Sequence, residues 1–490
     1  RFKHVWLERC CLKNCFHIVE NKFQYFYKIN QAYKRKVVTQ HIVHRLKHNS
    51  GIELNDFEDN EEEKDLYMQL SHDFLGTATT GHKVFVVQPY IKWGRDKKRN
   101  TTPELQLAEA VALVNTLSDW YVVGTKCVPL LSLQKKRLLG SGALDTLKKD
   151  IQKSQVNVTA IFVSTNLLKF VQITELENAL NLPIFDRYSI VIHIFRQHAV
   201  TTEAKLQVAL AELPYIRKKM NELTDHRGGR INLHERKKKL LESREKKLKN
   251  LLKKLEVHRN LNRNQRLSYG FPSVAIVGYT NAGKTSLIQA LTGDESLQPE
   301  NKLFATLDTT IHQGILPCSL KVLFIDTIGF IQDVPEALVE PFKVTLEDAM
   351  IADIIVHVYD VSHPDVEAQI EHVQKTIRPM IDEKKIIINV ANKSDMIEKD
   401  AIPEDAFAVS ALKLTGIDSL RLEIEQKLLS TSGLITKRFR VLSGSLEASW
   451  LYKEATVINA DPDSEDQQYV FLDVIMRPAT LYKFKRFLKK

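Results

Sequence analysis

The sequence predicts an α/β protein with four successive parts: a small parallel α/β domain, a long antiparallel helical hairpin, a larger parallel α/β domain and a small C-terminal α+β appendix. Two observations carry this prediction. Apolar strands alternate with helical patterns over residues 83–199 and again over 270–430, which is typical of parallel sheets. Between them lie two long stretches whose leucines recur at helical spacing. The predicted divisions are 1–50, 51–82, 83–200, 201–268, 269–432 and 433–490.

The first two divisions differ sharply in charge. Residues 1–49 hold eleven Lys or Arg but only Glu8 and Glu20 as acids. A basic, acid-poor leader with aromatic and aliphatic residues is similar to organellar transit peptides, although the expected Ser enrichment is missing. We therefore expect a leader for the mitochondrial matrix, with a cytoplasmic location as the alternative. The acidic stretch from Glu53 to Asp65 indicates a disordered connector.

Composition excludes some classes of protein. A chain of 490 residues is too long for a single core. No apolar run approaches the roughly 18 residues that span a bilayer, so we expect no membrane span. The net charge of +10 suits a polyanionic partner, but basic matrix proteins share it. The five cysteines follow neither a zinc-ligand nor a disulfide spacing, which indicates reduced thiols in an intracellular compartment.

The most informative motif lies in the larger α/β domain. The apolar strand Val274–Val277 leads into Gly278-x-x-x-x-Gly283-Lys284-Thr285, and an amphipathic helix follows over Ser286–Leu291. This strand–loop–helix context is that of a P-loop, in which backbone N–H groups surround a polyphosphate. Lys284 is predicted to reach the β- and γ-phosphates, and the Thr285 hydroxyl to bind Mg²⁺. The predicted phosphate loop consists of Gly278, Tyr279, Thr280, Asn281, Ala282, Gly283, Lys284 and Thr285.

Three later motifs, each predicted at a strand's carboxyl end, decide which nucleotide is bound. The strands Lys321–Ile325, Lys385–Val390 and Ala406–Ser410 are predicted to precede them. A carboxylate at Asp395 accepts hydrogen bonds from both the N1–H and the 2-amino group of guanine, whereas adenine has no such donor pair. The four motifs in order therefore predict a GTP site. The added residues are Asp326, Thr327, Ile328 and Gly329; Asn392, Lys393, Ser394 and Asp395; and Val409, Ser410 and Ala411.

A switch segment is predicted between the P-loop and Asp326. It consists of Phe304, Ala305, Thr306, Leu307 and Asp308. Thr306 is expected to complete the Mg²⁺ shell with Thr285 and Asp326 when the γ-phosphate is present, and to release after hydrolysis. The alternative is a surface Thr in a hairpin. The predicted catalytic residues are Lys284, Thr306 and Gly329, whose backbone N–H would sense the γ-phosphate.

The catalytic set is incomplete in one respect. Many regulatory GTPases place a water-orienting Gln after the glycine of this motif, but here the position is Phe330. A phenyl ring cannot orient water, so we expect slow intrinsic hydrolysis that a partner or ion accelerates. Asn281 stands where potassium-stimulated GTPases use Asn, which makes K⁺ a possible second cofactor. A loop-capping Asn explains the residue equally well.

The smaller α/β domain contains a second glycine motif, Gly140-Ser141-Gly142. Strands are predicted over Val84–Gln88, Trp120–Gly124, Val158–Val163 and Ile184–Asp186, with helices between them. Because no clear strand precedes Gly140, we interpret the motif as the first turn of a helix rather than as a nucleotide loop.

The hairpin carries most of the excess positive charge. Helices are predicted over Glu203–Asp225 and from Leu233 to Arg266, and Glu235–Arg266 holds thirteen Lys/Arg against four Glu. Such an excess favours binding to the phosphates of structured RNA, since the aromatics needed for base stacking are few. A solvated face of a structural coiled coil is the alternative. The predicted RNA contacts are Arg227, Arg230, Arg236, Lys237, Lys238, Lys239, Arg244, Lys246 and Lys247.

From about Lys83 to Ala411 the chain resembles the HflX family of ribosome-associated GTPases, most closely its mitochondrial members. The likeness is carried by the P-loop from Val277 to Lys284, by Leu303–Asp308 and by Asp326–Ile331, including the Phe after the glycine. The resemblance implies docking on the large ribosomal subunit, through rRNA and ribosomal proteins, near the peptidyl transferase centre. The bacterial Gly-Pro-Gly-Glu hairpin tip is missing here, as is the Pro between Asp308 and Thr309.

The motifs and the resemblance leave three hypotheses. The first is a monomeric GTPase that separates ribosomal subunits for recycling. The second is a large-subunit assembly GTPase that acts in late maturation. The third, a tRNA-modification partner, requires an additional Cys or cofactor site near the tail, and none is seen. In that tail, strands over Ala455–Asn459 and Tyr469–Ile475 are predicted to flank the turn Asp461–Ser464.

Overall fold

A computed structural model gives the fold of most of the chain. It describes residues 61–76, 81–94, 97, 101–154, 156–227, 231–269, 271–300, 302–332, 336–397, 403, 405–464 and 466–488. The predicted leader 1–50 lies outside the described residues. None of the helices in these ranges combines the length and the apolar character that crossing a bilayer requires.

The small α/β domain contains a four-stranded, wholly parallel sheet in the order β2-β1-β3-β4. Its core lies where Val87, Ile161 and Val163 meet the buried Leu147 of a covering helix. The predicted strand end at Gly124 is wrong, because this glycine makes room for the Phe85 ring within a longer strand. The elements are β1 (Lys83–Ile91), α2 (Pro103–Thr116), β2 (Tyr121–Leu130), α3 (Ser141–Lys153), β3 (Ala160–Val163), α4 (Phe170–Leu180), β4 (Ile184–Asp186) and α5 (Arg187–His198). Gly140 is the N-cap of α3, so the helix-turn interpretation is confirmed.

The prediction of a disordered connector is wrong for the described part of residues 51–82. Helix α1 (Glu61–Leu75) begins within the acidic stretch and continues beyond it, with Tyr67, Leu70 and Leu75 buried. The charge pattern concealed this helix because exposed acids such as Glu62 and Asp65 lie between apolar side chains that pack inward. Tyr67 donates a hydrogen bond to Glu212 of the hairpin at 2.7 Å, so α1 is packed against the neighbouring helical region.

The hairpin consists of α6 (Thr202–Arg227) and α7 (Ile231–Tyr269). Buried leucines line both helices, and Arg217 of the first forms a salt bridge with Glu245 of the second, as expected of antiparallel arms. The second helix is longer than predicted: its 39 residues span roughly 58 Å at about 1.5 Å per residue.

The larger α/β domain has a six-stranded sheet in the order β10-β9-β8-β5-β7-β6. Only β6 runs antiparallel, beside β7. The core is formed by aliphatic side chains of the central strands, including Val274, Val356 and Val390. Two predicted strands are shifted: β9 begins two residues late, and the strand predicted over 406–410 is reduced to β10. The elements are β5 (Ser273–Gly278), α8 (Lys284–Thr292), β6 (Thr310–Ile315), β7 (Lys321–Asp326), α9 (Glu336–Met350), β8 (Ile354–Asp360), α10 (Val366–Ile377), β9 (Ile387–Asn392), β10 (Phe407–Ala408) and α11 (Ile417–Thr431).

The C-terminal appendix is a three-stranded antiparallel sheet, order β11-β13-β12, with two helices. Leu472, Leu451 and Phe484 form its core. The turn predicted at Asp461–Ser464 is wrong in its start, because β12 continues through Pro462 on an outer strand, where the missing N–H is tolerated. The elements are β11 (Ile435–Leu442), α12 (Leu446–Glu454), β12 (Thr456–Pro462), β13 (Tyr469–Met476) and α13 (Pro478–Phe487).

Candidate nucleotide site

The P-loop joins β5 to α8 and depends on two glycines. A Cβ at Gly278 would lie 2.0 Å from the carbonyl oxygen of Val358, so this strand end admits no side chain. Gly283 has φ +86°, and a Cβ there would lie 2.3 Å from the amide nitrogen of Asn392. Asn281 also has a positive φ of 59°, which Asn tolerates better than most residues. Backbone conformation thus accounts for the residue types at these positions.

The three predicted metal ligands come together at the end of β7. Thr285 donates a hydrogen bond to Asp326 Oδ2 at 2.7 Å, and Thr306 donates to the same oxygen at 3.3 Å. The two hydroxyl oxygens lie 3.2 Å apart. Asp326 is 1% exposed, and its Oδ1 has no hydrogen-bond partner among the described residues. Two hydroxyls and a buried carboxylate with one unpaired oxygen form a donor set that suits Mg²⁺.

Burial perturbs the charges around this donor set. It raises the pKa of Asp326 above its usual value, against the opposing effect of the Lys284 ammonium. It also lowers the pKa of Lys284 to about 8. Lys284 donates hydrogen bonds to the carbonyl oxygens of Tyr279 at 2.9 Å and Gly278 at 3.3 Å. A polyphosphate would supply further negative charge to this buried ammonium, beside that of Asp326.

Asn392 connects the phosphate loop to the predicted base site. Its side-chain amide donates to the carbonyl of Ala282 at 2.9 Å and accepts from the N–H of Ala411 at 3.1 Å. Asn392 is 2% exposed and follows directly from the buried part of β9. This residue therefore links the phosphate and base ends of the site.

The neighbouring loop holds the carboxylate of Asp395 in place. Ser410 donates a hydrogen bond to Asp395 Oδ1 at 2.7 Å, and this bond lowers the pKa of Asp395. Lys413 lies 3.5 Å from the other carboxylate oxygen. Lys393 has φ 62° and donates to Asp360 at 2.6 Å. Asp360 was not predicted from the sequence, although its place at the carboxyl end of β8 was a usable signal.

A cavity of about 860 Å³ runs through these parts. Its described lining includes most of the predicted nucleotide residues and adds unpredicted ones, among them Met396, Leu412 and Leu414, whose side chains are exposed. The predicted residues in the lining are Thr280, Asn281, Gly283, Lys284, Thr285, Phe304, Ala305, Thr306, Gly329, Asn392, Lys393, Asp395, Ser410 and Ala411. Of the other predicted residues, Asp326 reaches the site through the two threonines.

Several predicted site residues support the cavity instead of lining it. Thr327 donates to the carbonyl of Ile276 at 2.7 Å, and the N–H of Ser394 to the carbonyl of Val409 at 3.1 Å. Leu307 is buried. The Tyr279 hydroxyl donates to Glu109 of the small α/β domain at 2.8 Å and accepts from the N–H of Gln332. The residues outside the cavity lining are Gly278, Tyr279, Ala282, Leu307, Asp308, Asp326, Thr327, Ile328, Ser394 and Val409.

The switch segment contacts the small α/β domain and the start of the hairpin. The Phe304 carbonyl lies 2.7 Å from His198 Nδ1, and its ring packs edge-on against Phe195 with centroids 5.0 Å apart. Asp308 accepts from the Thr201 hydroxyl at 2.6 Å. Thr306, which the alternative prediction placed in a surface hairpin, lies before β6 and is half-buried beside Asp326.

The backbone of Phe330 is hydrogen-bonded to the P-loop at the phosphate end of the site. Its N–H donates to Gly278 at 3.2 Å, and its carbonyl accepts from the Thr280 N–H at 2.7 Å. The side chain is 7% exposed. This position therefore offers no polar side-chain group to orient a water molecule.

Comparisons with known proteins agree with this geometry. Three family models match: "GTP-binding GTPase N-terminal" over residues 104–196, "GTP-binding GTPase Middle Region" over 198–266 and "50S ribosome-binding GTPase" over 273–393. "GTPase HflX" of Caldanaerobacter subterraneus is 34% identical, with 76% of this chain and 90% of that protein covered. The chain belongs to the HflX family of GTPases. It is accordingly a GTP-binding hydrolase.

An animal protein is similar over most of this chain as well. "Putative GTP-binding protein 6" of Xenopus laevis is 40% identical over 80% of this chain and 77% of its own length. Among solved structures, that of SsGBP in complex with GDP covers 71% of this chain and 99% of its own at 23% identity, with a TM-score of 0.42.

The predicted RNA contacts of this HflX-family chain fall into two groups. Arg236 and Lys247 form salt bridges with Glu62 and Glu63 of α1, and the Arg244 guanidinium stacks 3.8 Å from the Tyr67 ring centroid. Arg236 and Lys247 therefore have acidic partners within the chain, which the sequence did not reveal because α1 was not predicted. Exposed or half-buried on α7 are Lys237, Lys238, Lys239 and Lys246. Arg230 and the side chain of Arg227 lie outside the described part of the chain.

Proposed function

We propose that this HflX-family GTPase binds the large ribosomal subunit in its GTP state and promotes separation of the ribosomal subunits. The observation that carries the proposal is the hydrogen bond between Asp308 and Thr201. Thr201 also accepts from the Ala204 N–H at 3.1 Å, which caps the start of α6. One hydroxyl thus joins the switch segment to the base of the hairpin, so a change of the switch is transmitted to the hairpin.

The proposed target of the hairpin is ribosomal RNA. Exposed lysines on α7, including Lys238 and Lys239, supply charges that attract phosphates. One matching family model is described as a "50S ribosome-binding GTPase". Both observations favour the large subunit, with its RNA and proteins, as the partner of a monomeric chain.

Within the nucleotide site, we assign Mg²⁺ to Thr285, Thr306 and Asp326. When bound, this ion would neutralise charge on the β- and γ-phosphates. Lys284 would donate to the same phosphates, and the Gly329 N–H would detect the γ-phosphate. Because Phe330 cannot position water, we propose that the ribosome supplies the stimulating group. We also propose a K⁺ ion beside Asn281. The alternative is that Asn281 only supports the loop conformation, through its positive φ.

The proposed location is the mitochondrial matrix. The support is the basic, acid-poor composition of residues 1–49. A fluorescent-protein fusion of these residues should enter mitochondria. Diffuse cytoplasmic fluorescence would favour the alternative location.

Sedimentation of intact mitochondrial ribosomes tests the function. With a non-hydrolysable GTP analogue, added protein should convert monosomes into separate subunits, and with GDP it should not. Binding to immature large subunits, without any loss of monosomes, would instead support the assembly GTPase. The third hypothesis, a partner in tRNA modification, predicts recovery of tRNA rather than ribosomal RNA with the analogue-bound protein.

A further inference from the structure

The side chain of Tyr279, at the start of the P-loop, lies outside the described lining of the GTP cavity. It follows Gly278 at a position where the glycine motif itself accepts any residue. The side chain is 4% exposed. Its hydroxyl accepts from the N–H of Gln332 and donates to the carboxylate of Glu109, both at 2.8 Å. A single oxygen thus joins the P-loop, the segment after Gly329 and the small α/β domain.

A second contact from the small α/β domain reaches the same peptide. Arg187, at the start of α5, donates to the carbonyl of Gln332 at 3.0 Å and forms a salt bridge with Glu109. The side chain of Gln332 donates to the carbonyl of Ala368 at 3.1 Å. The N–H, the carbonyl and the side-chain amide of Gln332 are therefore each hydrogen-bonded. Tyr279, Glu109, Arg187 and Gln332 form a closed ring of contacts, which we call the Gln332 clamp.

Burial makes the clamp a rigid arrangement. Arg187 is 3% exposed, and the Glu109 side chain is 23% exposed. Hydrogen bonds to charged groups are stronger than neutral ones, and little solvent competes with them here. If one member of the ring moved, a buried charge or a buried donor would lose its partner, which is costly. The clamp therefore holds the Gln332 peptide in one position.

The clamped segment lies against the phosphate end of the GTP site. Gly329 is three residues before Gln332, and a Cβ there would lie 2.7 Å from Thr280 Cγ2 and 3.1 Å from Lys284 Nζ. Gly329 thus packs directly on the P-loop and beside the lysine ammonium. The backbone of Phe330 continues this contact through its hydrogen bonds to the P-loop. The position of Gln332 therefore influences how the Gly329 N–H faces the γ-phosphate.

We infer that Glu109, Arg187 and the Tyr279 hydroxyl are positioning residues for GTP hydrolysis. None of these side chains lies in the described lining of the GTP cavity, so they act through Gln332. By holding the segment around Gly329 against the P-loop, the clamp keeps its N–H in place before the reaction starts. Groups held in advance need no reorganisation during the reaction, which lowers the barrier. The inference rests on the proposed contact of Gly329 with the γ-phosphate and is independent of ribosome binding.

The test is single-turnover hydrolysis of GTP by the full chain without ribosomes. Tyr279→Phe removes only the bridging hydroxyl, and the rate constant of hydrolysis should fall about tenfold. The affinity for a non-hydrolysable GTP analogue should stay unchanged, because the side chain lies outside the cavity lining. Tyr188→Phe is the matched control. It removes an equally buried hydroxyl, which donates to the carbonyl of Ala211 at 2.8 Å, and should leave hydrolysis unchanged.

A second variant tests the ion pair of the clamp. Glu109→Gln keeps the size of the side chain but removes its charge, so it should also slow hydrolysis without changing the affinity for the analogue. In the double variant with Tyr279→Phe, hydrolysis should be slowed by less than the product of the two single effects, because both side chains act through Gln332. Glu109→Gln decides the question if Tyr279→Phe does not fold.

Three results would overturn the inference. One is wild-type hydrolysis by a folded Tyr279→Phe variant, and another is faster hydrolysis, since the clamp would then restrain the reaction. The third is a loss of affinity for the analogue that accounts for the whole effect, because the hydroxyl would then serve nucleotide binding. Melting temperatures monitor folding: Tyr279→Phe and Tyr188→Phe each lose a buried hydroxyl and should be destabilised to a similar extent.

Discussion

Some predicted residues of the GTP site line its cavity, and others hold the surrounding backbone in place. The predicted metal donors Thr285, Thr306 and Asp326 lie within hydrogen-bond distance of one another. Sequence motifs could place them, because Thr285 ends the P-loop motif, Asp326 follows a predicted strand and Thr306 lies in the segment between the two. The contact of the Tyr279 hydroxyl with the small α/β domain was not predictable in the same way. Its hydroxyl partner, Glu109, lies 170 residues earlier in the chain, so only the folded structure reveals the contact.

At Thr285, we expect the hydroxyl to be the group that binds Mg²⁺. We expect Thr285→Ala to weaken Mg²⁺-dependent binding of GTP about tenfold or more, because a charge-assisted interaction worth about 1.5–3 kcal/mol is lost. Thr285→Ser, which keeps the hydroxyl, should retain most of the affinity. Titration with a fluorescent GTP analogue measures both, and a control in EDTA should remove the difference. Equal affinities in Mg²⁺ would refute the assignment.

At Lys284, the lowered pKa predicts proton uptake on nucleotide binding. In the free protein, burial lowers the pKa of Lys284 to about 8, and bound phosphates should raise this pKa. Between pH 8 and pH 9.5 binding should therefore take up protons, and the affinity for GDP should fall as the pH rises. Calorimetry at pH 8.5 in buffers of different ionisation enthalpy measures the uptake. Lys284→Arg should abolish the proton uptake, since Arg stays charged. If the wild type takes up no proton, Lys284 does not have a lowered pKa in the free protein.

Some secondary structure elements could be predicted from sequence patterns alone, and others could not. The hairpin was predictable because its leucine spacing and its glycine break are local signals, and the described arms are α6 and α7. Helix α1 was not predicted, since its buried residues make sense only beside the hairpin. Strand β11 was also missed because Lys437, Arg438 and Arg440 interrupt its apolar residues, although Phe439 and Val441 follow the period of two expected of a strand.

The pairing of α1 with α7 predicts how RNA binding responds to charge. Replacing Lys238 and Lys239 by Gln should weaken binding to structured RNA and lower the salt slope by about 0.7–0.9 for each lost phosphate contact. Neutralising Glu62 and Glu63 should have the opposite effect, because it removes the two carboxylates that lie beside Arg236 and Lys247. Filter binding across a salt series measures both. Lys453→Gln, an exposed lysine of α12, is the matched control, and an unchanged slope in the α7 variant would favour a structural coiled coil.

In the whole molecule, the switch segment is the meeting point of three parts. His198 and Phe195 contact Phe304 from the small α/β domain, and Thr201 connects Asp308 to the first hairpin helix. The sequence could indicate each part by itself, because motifs and periodicity are local. It could not show that they meet at the switch, which depends on how the domains pack. Because the switch segment contacts both of the other parts, we expect the bound nucleotide to control the position of the hairpin.

The most direct measurement is the rate of ribosome dissociation by Thr201→Val in the presence of a non-hydrolysable GTP analogue. The variant keeps all predicted nucleotide residues, so its affinity for the analogue should equal that of the wild type. Losing the bond to the Asp308 carboxylate should slow dissociation about tenfold, and Thr201→Ser should restore it. Wild-type dissociation by Thr201→Val, with unchanged nucleotide affinity, would contradict transmission through this contact.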